Sequence, residues 1–470
     1  MQQHFALTYD GQRIALSTSD IEALSRRLSG TVVSPGDARY ETARRVWNGL
    51  VDRKPALIVG CTCADDVISA VQFARPRRLL VSVRGGGHNI RGTAICEAGM
   101  VIDLSAMNDI RVDPEARSVF SGPGVRWGQL DRATQAHGLA TPGGQHSEVG
   151  IAGYTLGGGI GWLTGKYGLG VDNLKSAEVI TAEGKRLIAS STENTDLFWA
   201  LRGGGGNFGI VTRFELALHP IGPTVTAGML LHPFERARDV LRFLRDASSG
   251  WSDDLHVIAV LMTVPGGGPR AVALAALYSG SAADGDDDLR ALRAFGPPLQ
   301  DQLQPMPYVA FQSMMDGLAP PGRCYLDRSR FMNELTDAAL DAILAAYERA
   351  PSPPCTVFVH PLGGAMARVP DDATAFAHRR ARYCLVSSSS WDEPAHAEAH
   401  ERWTEDFLST TAAFTTGAAY LNDLGRAEEE GDAAIRLAFG ESHARLAALK
   451  HAYDPDNFFR HNQNVLPRHV

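Results

Sequence analysis

The sequence predicts an α+β protein built in two parts, on three observations. The chain has 470 residues, more than one ordinary hydrophobic core uses. Stretches of strand character alternate with stretches of helical spacing, but without the strict rhythm of a βαβ fold. Glycine is dense up to Pro220-Ile-Gly-Pro223 and thins out beyond it.

The elements follow in chain order. Ala56–Gly60 is a short apolar strand, and Cys63–Phe73 has apolar residues at helical spacing. That helix leads into the β-branched run Val81-Ser82-Val83, which reads as a buried strand. Gly99–Leu104, Ser118–Gly122, Glu178–Thr181 and Ile210–Leu218 are further strands, separated by glycine-rich loops. Past residue 223, Phe234–Asp246 is an amphipathic helix, 256–262 and 270–278 are apolar strands, and the acid-rich Ser281–Asp288 is a solvated loop. Ala338–Glu348 carries Leu340, Ile343, Leu344 and Tyr347 on one helical face, so it faces a core. Val357–Val359 and Tyr383–Val386 are strands. Ala433–His451 is helical and ends in the turn Tyr453–Phe459. Residues 223–424 therefore form a second αβ domain.

Composition narrows the function. Hydrophobic residues make up 44% and charged residues 21%, which describes a globular enzyme-like chain. A net charge of -8 argues against a nucleic-acid partner, which wants a basic face. The first residues lack the basic and apolar regions of a secretory signal, and no 18-residue apolar run would cross a membrane. The six cysteines include no Cys-x-x-Cys, and Cys61-x-Cys63 has no second ligand pair. Free thiols in a reducing cytoplasm are the expected state, with no metal site.

The most informative stretch is Arg84-Gly85-Gly86-Gly87-His88-Asn89, directly after the strand at 81–83. Three glycines remove every Cβ, so backbone N–H groups can approach a ligand closely. A concave row of amides suits a phosphate or pyrophosphate. A simple tight turn is the competing reading. Gly204-Gly-Gly-Asn-Phe-Gly209 matches G-x-G-x-x-G literally, but a helical stretch precedes it and a strand follows. A dinucleotide-binding Rossmann turn needs the reverse order. Gly157-Gly-Gly-Ile-Gly161 fails the same spacing at Trp162, and no phosphate loop of the G-x-x-x-x-G-K-[ST] type occurs.

Several separate stretches share one likeness. They are residues 84–89, Thr141–His146, Val149–Trp162, Tyr167–Asn173, Leu197–Thr212 and Tyr453–Asn464. Together they resemble the vanillyl-alcohol oxidase/p-cresol methylhydroxylase superfamily and, within it, the berberine bridge enzyme-like FAD oxidases. The likeness spans nearly the whole chain in order. It implies an FAD-binding domain of the p-cresol methylhydroxylase type over 1–222, to which 425–470 returns, capped by a substrate domain over 223–424.

The resemblance also implies roles. His88 would carry the flavin through a covalent bond to the C8 methyl group, raising the flavin potential and fixing the ring. Many relatives bond the flavin a second time through a cysteine, but the matching position here is His146. The segment Gly144–Gly150 is similar to that of a singly attached, amine-oxidising branch, so one attachment at His88 is expected. His146 would then lie at the pyrimidine edge, where a donor stabilises reduced flavin; a solvated loop histidine is the plain alternative. Val149 matches a position that governs oxygen access, and reads equally as a core valine. Gly150, Gly153, Tyr154, Gly158, Gly159, Gly206, Asn207, Ile210, Val211, Asn462 and Asn464 complete the implied cofactor set, with packing as the alternative for Tyr154 and the tail.

On the substrate side, Tyr420-Leu-Asn422 resembles a family segment in which a tyrosine takes the substrate proton. Asp423 stands where relatives often have an aromatic residue. His360 matches a cap position that can face substrate, or is structural. The implied reaction moves a hydride from a C–H beside an alcohol or amine to flavin N5, with dioxygen as final acceptor and hydrogen peroxide released. The substrate would be a small molecule: an alcohol, sugar, amine or phenolic natural product. A dehydrogenase using another acceptor, and a flavin-binding protein without oxidase activity, are the rivals.

Overall fold

The computed structural model describes residues 4–281, 286–351, 355–426 and 430–468, and three larger sheets organise them. The first has the order 31–33, 57–60, 100–103, 81–84, and its last three strands run parallel. Parallel strands are covered on both faces and so read as continuous apolar runs, as Leu57-Ile58-Val59 does. The helix Ala64–Ala74 crosses over this sheet and buries Val67, Ala70, Val71 and Ala74 completely. Each larger side chain so buried contributes roughly 1.5–3 kcal/mol. The strand Val81–Arg84 ends directly beneath the triple glycine.

The second sheet is antiparallel, in the order 186–190, 174–180, 210–217, 118–121, 110–113. The helix Thr195–Leu201 precedes the 204–209 glycines, and the strand Ile210–Ala217 follows them. The literal dinucleotide motif is thus in helix-to-strand context, as its neighbours predicted.

The third sheet is the cap. Its main path is 300–301, 224–233, 270–278, 255–263, 355–361, 383–391, 324–332, with 304–307 also pairing 224–233. Helices Ala237–Ser248, Asp337–Glu348 and Ala397–Thr411 share a core with one face of it. Its other face turns toward the first two sheets. The chain then returns: Phe458 and Phe459 are buried in the core of the first sheet. Lys450 anchors the return. Its Nζ donates to Asp454 Oδ2 at 2.7 Å and to the carbonyls of Asn207 and Phe459, and both charged side chains are wholly buried.

Two expectations change. The acid-rich loop at 281–288 gives way to a helix, Asp286–Ala294, with 282–285 outside the described residues. Its register buries Leu289 and Leu292, an apolar pair that the acids obscured. The single C-terminal helix is two, Asp432–Phe439 and His443–Tyr453. Gly440 divides them with φ +49°, a left-handed conformation that stops a helix.

Candidate active site

A cavity of about 720 Å³ lies between the glycine-rich loops and the inner face of the cap sheet. That is the size of a site for a cofactor-sized ligand. Its first wall is backbone. Gly85, Gly86, Gly87, His88 and Asn89 line it, with Gly144, His146, Val149, Gly150, Gly153 and Tyr154 alongside. Gly206, Ile210, Val211 and Asn462 close its far end.

The wall can form because two glycines meet back to back. A Cβ on Gly86 would lie 2.5 Å from Gly150 Cα, and one on Gly150 2.6 Å from Gly86 Cα. No side chain fits there, so the 84–89 loop and the start of the helix Ile151–Leu156 are pressed together. A Cβ on Gly153 would meet no protein atom, so that glycine leaves the cavity open to a ligand. A chain of such backbone edges suits a long, flat cofactor. The FAD implied by the resemblance fits this wall.

His88 stacks on Trp47, with ring centroids 4.0 Å apart. Burial, then the nearby His146, pushes its imidazole down to about 3, so it is neutral with a lone pair available. His146 is lowered by burial too, and its Nδ1 is buried without a partner. The loop carrying it is tied to the cap: the N–H and hydroxyl of Ser147 donate to Asp316 at 2.8 and 2.5 Å. Gln312 donates to the carbonyl of Gly144 and to Asp131, both at 3.2 Å. Burial drives Asp131 up to about 7.

The second wall is side chain. Strand alternation puts Val260, Met262, Thr356, Phe358, Val386, Ser388, Ser390, Tyr325 and Asp327 on the cavity face of four adjacent strands. Tyr420, Asn422 and Asp423 enter from the segment after the last cap helix, Ala397–Thr411. The Tyr420 phenolic oxygen accepts three N–H donors: Gly159 at 2.9 Å, Ile160 at 3.1 Å and Asn422 Nδ2 at 2.7 Å. Burial raises its pKa, and those three donors pull against the rise. Asn422 is itself held, since its Nδ2 also donates to the carbonyl of Tyr154.

Asp423 and Asp327 are neighbouring half-buried carboxyls on the cavity wall. Burial raises Asp423 to about 6, opposed by the Ser329 hydroxyl and Arg328. Burial raises Asp327 to about 7, with Asp423 adding to the rise. Neither Asp327, Trp47 nor Tyr325 was singled out by the sequence. The only legible signal was the run Ser387–Ser390 inside a strand, too polar for a plain core element.

Six expected site residues stand outside the lining. Arg84 turns back under the loop: it holds Asp103 through Nε at 3.0 Å and Nη2 at 2.6 Å and donates to the carbonyl of Ala43. A guanidinium already paired there braces the strand rather than a ligand. Gly158 and Gly159 lie behind Tyr420 with positive φ; the N–H of Gly159 points at its oxygen beside that of Ile160, while the N–H of Gly158 donates to the carbonyl of Thr155. Asn207 ties its own loop to the tail, donating to the carbonyls of Gly204 and Gln463 and accepting from the N–H of Val465. Asn464 is buried off the cavity, and Gln463 lines it instead. His360 has the same strand parity as Phe358 but lies two residues further along, buried against Phe358 and near His256. Among the described residues no disulfide forms and no cluster suited to a metal occurs. No helix among them is long and apolar enough to cross a membrane.

Comparison with known proteins agrees with this geometry. The model of an FAD binding domain matches residues 55–190, and that of berberine and berberine-like proteins matches 419–466. An FAD-linked oxidoreductase of Dictyostelium discoideum is 30% identical over 454 residues, covering 96% of this chain and 98% of that one. (R)-6-hydroxynicotine oxidase of Paenarthrobacter nicotinovorans is 30% identical over 462 residues, covering 94% and 97%. The crystal structure of 6-hydroxy-D-nicotine oxidase from Arthrobacter nicotinovorans superposes with a TM-score of 0.84 at 29% identity, covering 94% and 98%.

Proposed function

Because the chain belongs to the FAD-linked oxidoreductases of the berberine-like family, we propose that it is an oxidase holding FAD in this cavity, bonded once through His88. It would oxidise a C–H beside a hydroxyl or amine of a small molecule held under the cap, with dioxygen as the final acceptor. Bound FAD would supply the two-electron acceptor, taking hydride at N5.

The observation that carries the reading is the environment of Tyr420. Three converging N–H donors are the arrangement that stabilises a phenolic oxygen as its proton leaves and negative charge develops. Burial keeps the proton on in the resting protein, so Tyr420 accepts a substrate proton only once its own has been passed to another base. Asn422 orients the phenol. Tyr154, Val149 and His146 line the cavity on the glycine-wall side, where a valine at 149, smaller than isoleucine, would leave dioxygen access to the flavin. His146 stands where a second bond would need a thiol, which supports a single attachment. The cap face offers Asp327, Ser388 and Ser390, with Asp423 beside them, to a substrate rich in hydroxyl or amine donors, in keeping with the 6-hydroxynicotine named for one relative.

The test is a peroxide-release screen over amines, sugars and secondary alcohols, run with the flavin absorption followed without oxygen. One class should bleach the flavin and yield hydrogen peroxide in step with product. Bleaching with dye reduction and no peroxide would make the protein a dehydrogenase. A colourless protein would sink the flavin reading.

A further inference from the structure

The cofactor reading leaves Trp47 unexplained, although its ring faces the cavity beside the flavin anchor. It is the middle of a three-ring stack. His88 and Trp47 are 4.0 Å apart with planes 18° from parallel, and Trp47 and Tyr325 are 4.0 Å apart at 17°. The first ring is on the glycine loop and the last on the cap strand Cys324–Met332.

The segment around Trp47 is clamped from both sides. The N–H of Trp47 donates to the carbonyl of Gly87 at 3.1 Å, and its indole Nε1–H donates to the carbonyl of Ala319 at 3.0 Å. Gly322 N–H returns a bond to the Trp47 carbonyl. Asn48 is completely buried: its Nδ2 donates to the carbonyls of Ile90 and Tyr325, and its Oδ1 accepts the Tyr325 N–H. Residues 47–48 therefore join the turn bearing His88 to the cap, with the indole plane fixed at both ends.

A histidine ring rotates over a broad, two-fold torsion, so its plane needs an outside constraint. Stacking against a fixed indole supplies one, and leaves the ring edge turned to the cavity. We propose that Trp47 is the positioning residue that sets the His88 imidazole for bonding to the flavin, with Tyr325 and Asn48 holding Trp47 in turn. The inference rests on the covalent reading of His88. The bond joins a His88 ring nitrogen to the C8 methyl carbon, and one methyl C–H and the imidazole N–H break. The electron pair left on the flavin and the two protons pass to dioxygen, giving hydrogen peroxide.

The full chain, produced in flavin-starved cells, is mixed with FAD in air and quenched in acid over time. The yellow colour retained in the denatured pellet is compared with flavin bound before quenching. Trp47→Leu should bind flavin normally but bond it roughly ten- to hundred-fold more slowly, the cost of a reacting group out of place. Trp47→Phe should stay within about two-fold, because a ring still stacks. Tyr325→Leu, with Trp47 intact, should slow bonding less than Trp47→Leu. Bonding at the wild-type rate in Trp47→Leu overturns the proposal. So does a Trp47→Leu protein that cannot bind flavin or fold while Tyr325→Leu bonds normally. A wild-type pellet without colour, or colour retained by His88→Ala, overturns the covalent reading itself.

Discussion

The two walls of the cavity are built on opposite principles. The flavin-side wall is backbone: Gly86 against Gly150, Gly153 with open space before it, and loops pressed too close for any side chain. The cap wall is side chain: alternate residues of four strands, with Asp327, Ser388 and Thr356 standing on a sheet that would fold with other residues in their place. The first wall has few permissible sequences, and the second has many. A cofactor common to a family can therefore sit on the rigid side while substrate choice varies on the other.

Variants can break this contrast. The largest effect should come from Tyr420→Phe, which removes the proposed proton acceptor but keeps the ring. Turnover should fall by about 10²–10⁴-fold with flavin content unchanged; loss of flavin instead would place Tyr420 on the cofactor side. Gly86→Ala comes next. Its methyl would strike the Gly150 backbone, which cannot yield as a flexible side chain would. About 1–3 kcal/mol of stability should be lost, with flavin binding weakened in step. Intact flavin binding in Gly86→Ala, measured by native gel filtration, would show that the close approach is dispensable.

Asp327 tests the cap wall through pH. Its carboxyl is raised from 3.8 to about 7, so the folded chain holds a proton that the unfolded chain has released. Stability should fall as pH rises from about 4 to about 7, with the full cost present above that range. Asp327→Asn removes the ionisation, so its thermal midpoint should exceed that of the wild type at pH 8 and match it near pH 4. The same gap at both pH values would mean that Asp327 does not titrate in this window. The smallest effect is expected from Ser388→Ala, about 1 kcal/mol or less in substrate affinity, read as a higher KM with kcat preserved.

Legibility follows the same divide. The triple glycine, His88, His146 and the Tyr420–Asn422 pair were readable because each belongs to a short run of neighbouring residues. The false dinucleotide motif at 204–209 was rejected for a local reason too, its helix-to-strand context. His360 shows where local reading stops. Its strand and face are those of cavity-lining Phe358, but two residues are about 7 Å along a strand, enough to leave the site. Arg84 has the right position in the loop motif and the wrong direction, because Asp103 on the adjacent strand captures it.

Chain chemistry alone thus determined an α+β architecture and its glycine wall, since glycine's missing Cβ and a fixed local order act over a few residues, while the flavin followed from the likeness of those stretches to a known family. Pairing across distance came from the folded molecule. Trp47 meets Tyr325, Asp327 meets Asp423, and Gly159 meets Tyr420 only after strands and loops far apart in the chain are packed together. Burial then sets the protonation of the carboxyls and phenol, and burial is a property of that packing, which no residue carries by itself.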